Sequence, residues 1–369
     1  MKISWPHMGS LEFVMGGIFE ELGVDYVLPP PNSQRTLELG ARHGPEFACF
    51  PLKTTLGNFI EAIENGADTL IMVAGRGPCR FGFYAETQRR ILEDAGYEFT
   101  MVPLEFEPSR IPATIRNLNR LKQGRSWASL YRSFKFALTK AHLIDRLERQ
   151  ALHQRYLDRD KGATTAAMRR CYGMVWDADS YASLSRVEEE GFEVLHSVPR
   201  TEREEIKIGI VGEFYLVLEP FFNLNVEEQL GDLGAFVERN IYLTDWLRPS
   251  GERPVLGHHE HGSERLAAPY LSHKVGGEGI FTVGDTVLYQ NLGFDGVVQL
   301  MPFTCMPETI AKSILPQISR NLGIPVLSLV IDEMTGRAGV ATRLEAFTDL
   351  ARFRRRAGGR ESQLALQPA

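Results

Sequence analysis

Four cysteines occur in 369 residues, and three share one kind of local setting. Cys79 lies in Gly75-Arg76-Gly77-Pro78-Cys79-Arg80-Phe81-Gly82, between an apolar strand and a helical stretch. Cys305 lies in Pro302-Phe303-Thr304-Cys305-Met306-Pro307-Glu308, again between strand and helix. Cys49 lies in Glu46-Phe47-Ala48-Cys49-Phe50-Pro51-Leu52-Lys53, ahead of another helix. Cys49 and Cys305 are each followed by x-Pro, and proline suits a first helical turn because it leaves no N–H unpaired. Each sulfur is therefore expected at a helix N-terminus, where free N–H groups and the helix dipole favour a thiolate. In open parallel sheets the strand ends that lead into helices border the ligand crevice. Cys49 and Cys79 on one sheet would then face Cys305 on another across a cleft. A structural zinc site usually takes four ligands, often from Cys-x-x-Cys pairs, and no such pair is present. An iron–sulfur cluster tolerates wide spacing, and three thiolates would leave one iron of a four-iron cluster open to a ligand. The plainer alternative is three buried free cysteines.

Other residues have two readings each. Arg76, Arg80 and Lys53 either offset cluster charge, gate electron entry and hold a phosphate, or are solvated loop charges. Glu213 and Asp332-Glu333 follow apolar strands, as proton donors or partner contacts on one reading and as helix caps on the other. His258-His259-Glu260-His261 is the one histidine cluster; its Gly- and Pro-rich surroundings favour an exposed loop over a metal site. Arg352-Phe353-Arg354-Arg355-Arg356 is expected at a helix C-terminus, where positive charge complements the dipole. Cys171, in Arg169-Arg170-Cys171-Tyr172, is read as structural.

The elements that must position these groups follow from periodicity. Residues 1–108 alternate strand and helix patterns, with strands at 2–4, 69–74 and 98–104, an extended run at 25–28, and helices at 9–22, 59–64 and 85–95. Strands separated by helices imply a mostly parallel sheet covered on both faces. Residues 109–205 have helical apolar spacing and form a connector or insert, with a break at Gly162-Ala163-Thr164. Residues 206–357 resume the alternation, with strands at 207–211, 296–300 and 326–331 and helices at 285–291, 307–322 and 341–354. Residues 358–369 are a tail, frayed beyond Gly358-Gly359. The fold class is α/β: two Rossmann-like parallel-sheet domains joined by a helical middle.

Composition restricts function. The chain is 43% apolar and 24% charged, ordinary for a globular protein. Its 41 basic and 47 acidic residues leave a net charge of −6. No electrostatic case for nucleic acid or an anionic membrane follows from that balance. Four cysteines are too few for a disulfide scaffold and suit a reducing cytoplasm. No signal peptide or membrane-length apolar run is present, so a cytoplasmic location is expected.

The local sequences around the three cysteines carry a resemblance. Glu46–Lys53, Gly77-Pro78-Cys79-Arg80-Phe81-Gly82-Phe83-Tyr84 and Met301–Glu308 resemble the superfamily of 2-hydroxyacyl-CoA dehydratase components, benzoyl-CoA reductase subunits and double-cubane cluster proteins, and most of all its branch labelled acyl-CoA dehydratase activase-related. Gly212-Glu213-Phe214-Tyr215, Ala267-Ala268-Pro269-Tyr270 and Ile331-Asp332-Glu333-Met334-Thr335-Gly336 extend it over both sheet domains, leaving out the helical middle and the tail. The resemblance implies a cluster held at the domain interface by Cys49, Cys79 and Cys305, either a 4Fe-4S cluster or a double-cubane 8Fe-9S cluster shared between subunits. It further implies an anaerobic, dimeric redox enzyme, expected here as a homodimer. Its single low-potential electrons would come from a separate ATP-hydrolysing iron–sulfur activator protein. Two versions stand: a reductase of small molecules, or a lyase component that dehydrates a 2-hydroxyacyl-CoA. A non-catalytic scaffold or electron-relay subunit is the alternative. Despite the branch label, the chain has no Gly-x-x-x-x-Gly-Lys-Ser/Thr and no Asp-x-Gly-x-Thr phosphate loop, so nucleotide hydrolysis is expected on another polypeptide.

Overall fold

The computed structural model describes residues 1–75, 79–105, 107–246 and 262–365. The N-terminal part runs β1 (Ile3–Ser4), α1 (Leu11–Leu22), α2 (Gln34–His43), α3 (Phe50–Glu64), β2 (Thr69–Ala74), α4 (Tyr84–Asp94) and β3 (Thr100–Glu105). Four helices follow: α5 (Ile111–Leu121), α6 (Trp127–Arg155), α7 (Ala163–Asp177) and α8 (Tyr181–His196). The C-terminal part begins with β4 (Ile206–Gly212), α9 (Phe214–Leu218), α10 (Val226–Asp232), β5 (Ala235–Arg239) and α11 (Leu243–Trp246). It continues with α12 (Ser263–Ala267), α13 (Gly279–Asn291), β6 (Gly296–Pro302), α14 (Met306–Leu322), β7 (Val326–Ile331) and α15 (Arg337–Ala365).

Two parallel sheets result, ordered β1-β2-β3 and β5-β4-β6-β7. This is the α/β architecture with a long helical middle that the alternating pattern predicts. Central strands are apolar runs because both faces are covered: β2 is Thr-Leu-Ile-Met-Val-Ala and β6 is buried along its whole length. Pro103 sits in β3, an edge strand, where a missing N–H breaks no ladder. The two sheets share one apolar core that takes in Ile71 and Val102 from the first, and Ile208, Ile210, Val298 and Leu329 from the second. The 29-residue α6, about 44 Å at 1.5 Å per residue, packs against α1, α7, α8 and β5 and so joins the halves. Ser126 starts it by accepting the Ser129 N–H at 3.0 Å.

Several expectations change. Helix α3 begins at Phe50 instead of residue 59, because Pro51 in its first turn starts it directly after Cys49. Residues 25–28 form no strand: Tyr26 makes a single parallel bridge to Ile3 before the prolines intervene. The last helix extends through Gly358-Gly359 to Ala365, so the arginine run lies mid-helix instead of at a C-terminus. There Arg355 pairs with Asp295 at 2.8 Å and Arg356 with Glu204 at 2.8 Å, fastening α15 to the second sheet. Among the described residues, no helix is long and apolar enough to cross a membrane.

Candidate functional site

Three cysteines end as the residue immediately before a helical turn. Cys49 is the N-cap of α3, Cys305 the N-cap of α14, and Cys79 the N-cap of the 3-10 turn Arg80–Phe83 that runs into α4. Their backbones are all extended, with φ/ψ of −66/145 at Cys49, −74/131 at Cys79 and −69/111 at Cys305. Cysteine is a poor cap, and none of the three side chains closes a normal capping hydrogen bond. The sulfurs are therefore left free to face elsewhere. Cys79 and Cys305 follow β2 and β6, Cys49 lies between α2 and α3, and all three feel the same carboxylate, Glu213 at the end of β4. Cys49 also feels Cys79, and Cys305 feels Cys49. Cys49, Cys79 and Cys305 are thus electrostatic neighbours of one another and of Glu213, where the two sheet domains meet. All four cysteines are free thiols.

Local strain and space mark the same place. Thr304, the residue before Cys305, has φ +62, a left-handed conformation that costs a β-branched residue of order 1–3 kcal/mol. Its buried hydroxyl has no hydrogen-bond partner. Gly277 has φ +48, and a Cβ there would lie 3.1 Å from Pro307 Cγ and 3.7 Å from Cys79 Sγ. A bare backbone is required beside Cys79 and the first turn of α14. Gly212, φ +143, lets β4 approach so closely that a Cβ would meet Leu300 O at 2.0 Å. That approach is what sets Glu213 at the cleft.

Burial governs the charges. It pushes the Cys49 thiol up to about 11, against the hydrogen bond with the buried Tyr84 hydroxyl, with Glu213 adding to the rise. Cys305 is raised further, by burial first and then by Glu213 and Glu308; Cys79 is raised by burial. The N–H groups of Phe81 and Glu308 do favour the thiolates of Cys79 and Cys305, as helix N-termini should, but desolvation outweighs them. The helix ends thus act in the expected direction, and burial outweighs them, leaving the thiols raised. Glu213 is raised to about 8 by burial and accepts the Leu216 N–H at 3.0 Å, so it is also the cap of α9. Glu308, accepting from Gln299 Nε2 at 2.8 Å and Thr282 Oγ1 at 3.0 Å, is raised to about 7 by burial.

Basic and aromatic groups close the cleft. Arg80 donates to Phe47 O at 2.9 Å, tying the Cys79 turn to the loop before Cys49. Lys53, buried one turn after Cys49, reaches Glu333 Oε1 at 2.5 Å and Glu46 O at 3.0 Å. Phe81 packs edge-on against Phe214, and Phe50 against Phe222, each pair crossing from one sheet domain to the other. Asp332 is spent on its own turn, accepting from Thr335 Oγ1 at 2.7 Å and Met334 N at 3.0 Å. Cys171 is elsewhere, in the core between α7 and α8, its Sγ 3.6 Å from Gly191 O. Arg76 and His258-His259-Glu260-His261 lie outside the described residues.

Sequence reasoning missed Gly277, Glu278 and Tyr84. Glu278 acts electrostatically on Cys79 and Glu213, and its signal was the run Gly276-Gly277-Glu278-Gly279, too glycine-rich to be an ordinary helix start. Among the described residues no three His, Cys, Asp or Glu side chains converge tightly enough to hold a single metal ion. No protein-family model matches the chain, and no curated protein is significantly similar to it.

Proposed function

We propose that the protein is an iron–sulfur redox protein whose cluster sits in the cleft between its two sheet domains. Cys49, Cys79 and Cys305 would hold it. The observation that carries this reading is their shared N-cap geometry around one cleft, with thiols that burial keeps neutral until a strongly cationic group ionises them. The strained Thr304 and the bare Gly277 backbone, both beside these cysteines, support it. When bound, such a cluster supplies single low-potential electrons at an iron with an open position.

The chain's own residues would do the rest. Phe50, Phe81, Phe214 and Phe222 exclude water from the cleft. Lys53 and Arg80 set positive charge against a cluster that is a net anion. Glu213, raised to about 8 by burial, would hold a proton near neutral pH and act as a proton donor beside the cysteines. Around the cleft mouth, Phe47 (72% exposed), Phe83 (63%), Phe303 (45%) and Met334 (86%) present apolar surface next to the cysteine loops. A patch of that kind suits a protein partner, here a separate ATP-hydrolysing activator that delivers the electron, and a second copy of this chain in a cytoplasmic homodimer. The likeness of the cysteine segments to the 2-hydroxyacyl-CoA dehydratase superfamily supports either of two reactions, reduction of a small molecule or dehydration of a 2-hydroxyacyl-CoA.

The test is anaerobic reconstitution with iron and sulfide, followed by one-electron reduction and addition of an iron ligand such as cyanide. A reduced-cluster paramagnetic signal that changes with cyanide is the expected result. A signal indifferent to cyanide would favour an electron-relay subunit, and absence of any cluster would remove the proposal.

A further inference from the structure

A cavity of about 310 Å³ lies apart from the cysteines, where the start of α1, the facing sides of α6 and α7, and the segment from α9 to β5 meet. Two of the acidic groups in its wall are taken up by Arg239. Glu227 lies 3.0 Å from Arg239 Nη1, and Glu148 takes Arg239 Nη2. Glu12 lies 3.8 Å from His7 Nε2, and Glu228 is in the first turn of α10. Two guanidinium groups remain.

Arg155, at the end of α6, is only 9% exposed, and its Nε has no hydrogen-bond partner. Its stem rests on Gly231, where a Cβ would come within 2.7 Å of Arg155 Cγ, so the side chain is held in place by packing. Asp232 feels it, after Lys161, but forms no ion pair with it among the described residues. Arg169, exposed on α7 at the cavity's edge, likewise has no ion pair among them. Thr165 is one turn before Arg169 on the same helix face, and its buried hydroxyl also lacks a partner. A buried guanidinium Nε and a buried hydroxyl left without hydrogen-bond partners are costly unless a ligand completes them. Facing them, Phe13, Leu152, Met168 and Leu218 make an apolar wall.

We propose that this cavity binds a small organic monocarboxylate. The carboxylate is taken by Arg155 and Arg169 with the Thr165 hydroxyl, and a short apolar body lies against Phe13, Leu152, Met168 and Leu218. The nearby Glu12, Glu227 and Glu228 disfavour a dianion, and the apolar wall has nothing to offer inorganic phosphate. This site is independent of the cysteine cleft.

Calorimetric titration of the full chain with hexanoate tests it, with hexylamine and inorganic phosphate run alongside. One hexanoate per chain is expected, with no binding of the amine or of phosphate. Arg169→Glu should weaken hexanoate at least tenfold and Thr165→Val severalfold, while Arg155→Met should abolish binding. Because Arg155 is packed and its variant is open to misfolding, the exposed Arg169→Glu carries the decision. Failure of the wild type to bind hexanoate, an unchanged affinity in Arg169→Glu, or equal binding of phosphate would each overturn the proposal.

Discussion

Lys53 Nζ lies 2.5 Å from Glu333 Oε1, joining the helix that Cys49 caps to the turn that follows the last strand of the other sheet. The ammonium is buried while the carboxylate is partly exposed, so the two ends of the pair are not equivalent. Glu333→Gln leaves the buried ammonium without a counter-charge and should cost on the order of 2–4 kcal/mol. Lys53→Met removes that charge at similar volume and should cost less. Urea denaturation of the two variants checks the order; equal or reversed costs would show that the pair does not hold the domains together.

A second interdomain pair carries a pH signature. His7 Nδ1 lies 3.0 Å from Glu219 Oε2, with Glu12 and Asn32 also facing the ring. Burial disfavours the imidazolium, but the hydrogen bond and charge of Glu219 prevail and leave the His7 pKa above 6.5. Glu219 is correspondingly held below 4.5, its burial offset by His7 and the Gly9 N–H. A raised histidine stabilises the fold fully below its unfolded pKa and loses that contribution as pH rises through the folded one. The lowered carboxylate contributes above 4.5 and is lost as pH falls through its folded pKa. The stability gap between wild type and His7→Gln should therefore be largest between about 4.5 and 6.5 and shrink on both sides. A gap independent of pH would contradict the pairing.

Glu308 should act in the opposite sense. Its carboxyl is raised by burial to about 7, so in metal-free protein the folded state binds its proton more tightly than the unfolded chain does. The penalty is present above pH 7, on the order of 3 kcal/mol by 1.4 kcal/mol per pH unit, and fades as pH falls toward 4.5. Glu308→Gln should stabilise the metal-free protein at pH 8 and change little at pH 4.5. Destabilisation at both pH values would show that the hydrogen bonds from Gln299 and Thr282 need an anion.

Gly277 tests the shape of the cleft. Alanine there pays for a left-handed backbone, about 1–2 kcal/mol, and puts a methyl group between Pro307 and Cys79 Sγ. Reconstituted Gly277→Ala should hold clearly less iron than wild type while its circular dichroism stays native. Full iron content would place the cluster away from Cys79.

The strand-to-helix addresses of Cys79 and Cys305, and the helix start after Cys49, could be read from sequence because they depend on local punctuation. An apolar run such as residues 69–74, then glycine and proline, marks where a buried strand must end and a helix begin. Helix α3 was half visible: its amphipathic end at residues 59–64 repeats with helical spacing. Its first turns are buried on all sides, so no polar face betrays them. Lys53, Tyr84 and Glu278 acquire their roles only from residues between about thirty and three hundred positions away, and no spacing rule reaches that far. The ionisation of the thiols is legible only in part for a related reason: a helix N-terminus is local, whereas the desolvation that outweighs it comes from packing of distant segments.

Iron and acid-labile sulfide in anaerobically prepared protein, measured beside its cysteine variants, test the central claim most directly. Brown wild-type protein with both elements is predicted, cluster-free protein for Cys49→Ala, Cys79→Ala and Cys305→Ala, and full content for Cys171→Ala. Sedimentation of the same samples should give twice the 41.5 kDa chain mass. Colourless wild-type protein, or undiminished iron in all three cleft variants, would contradict the account.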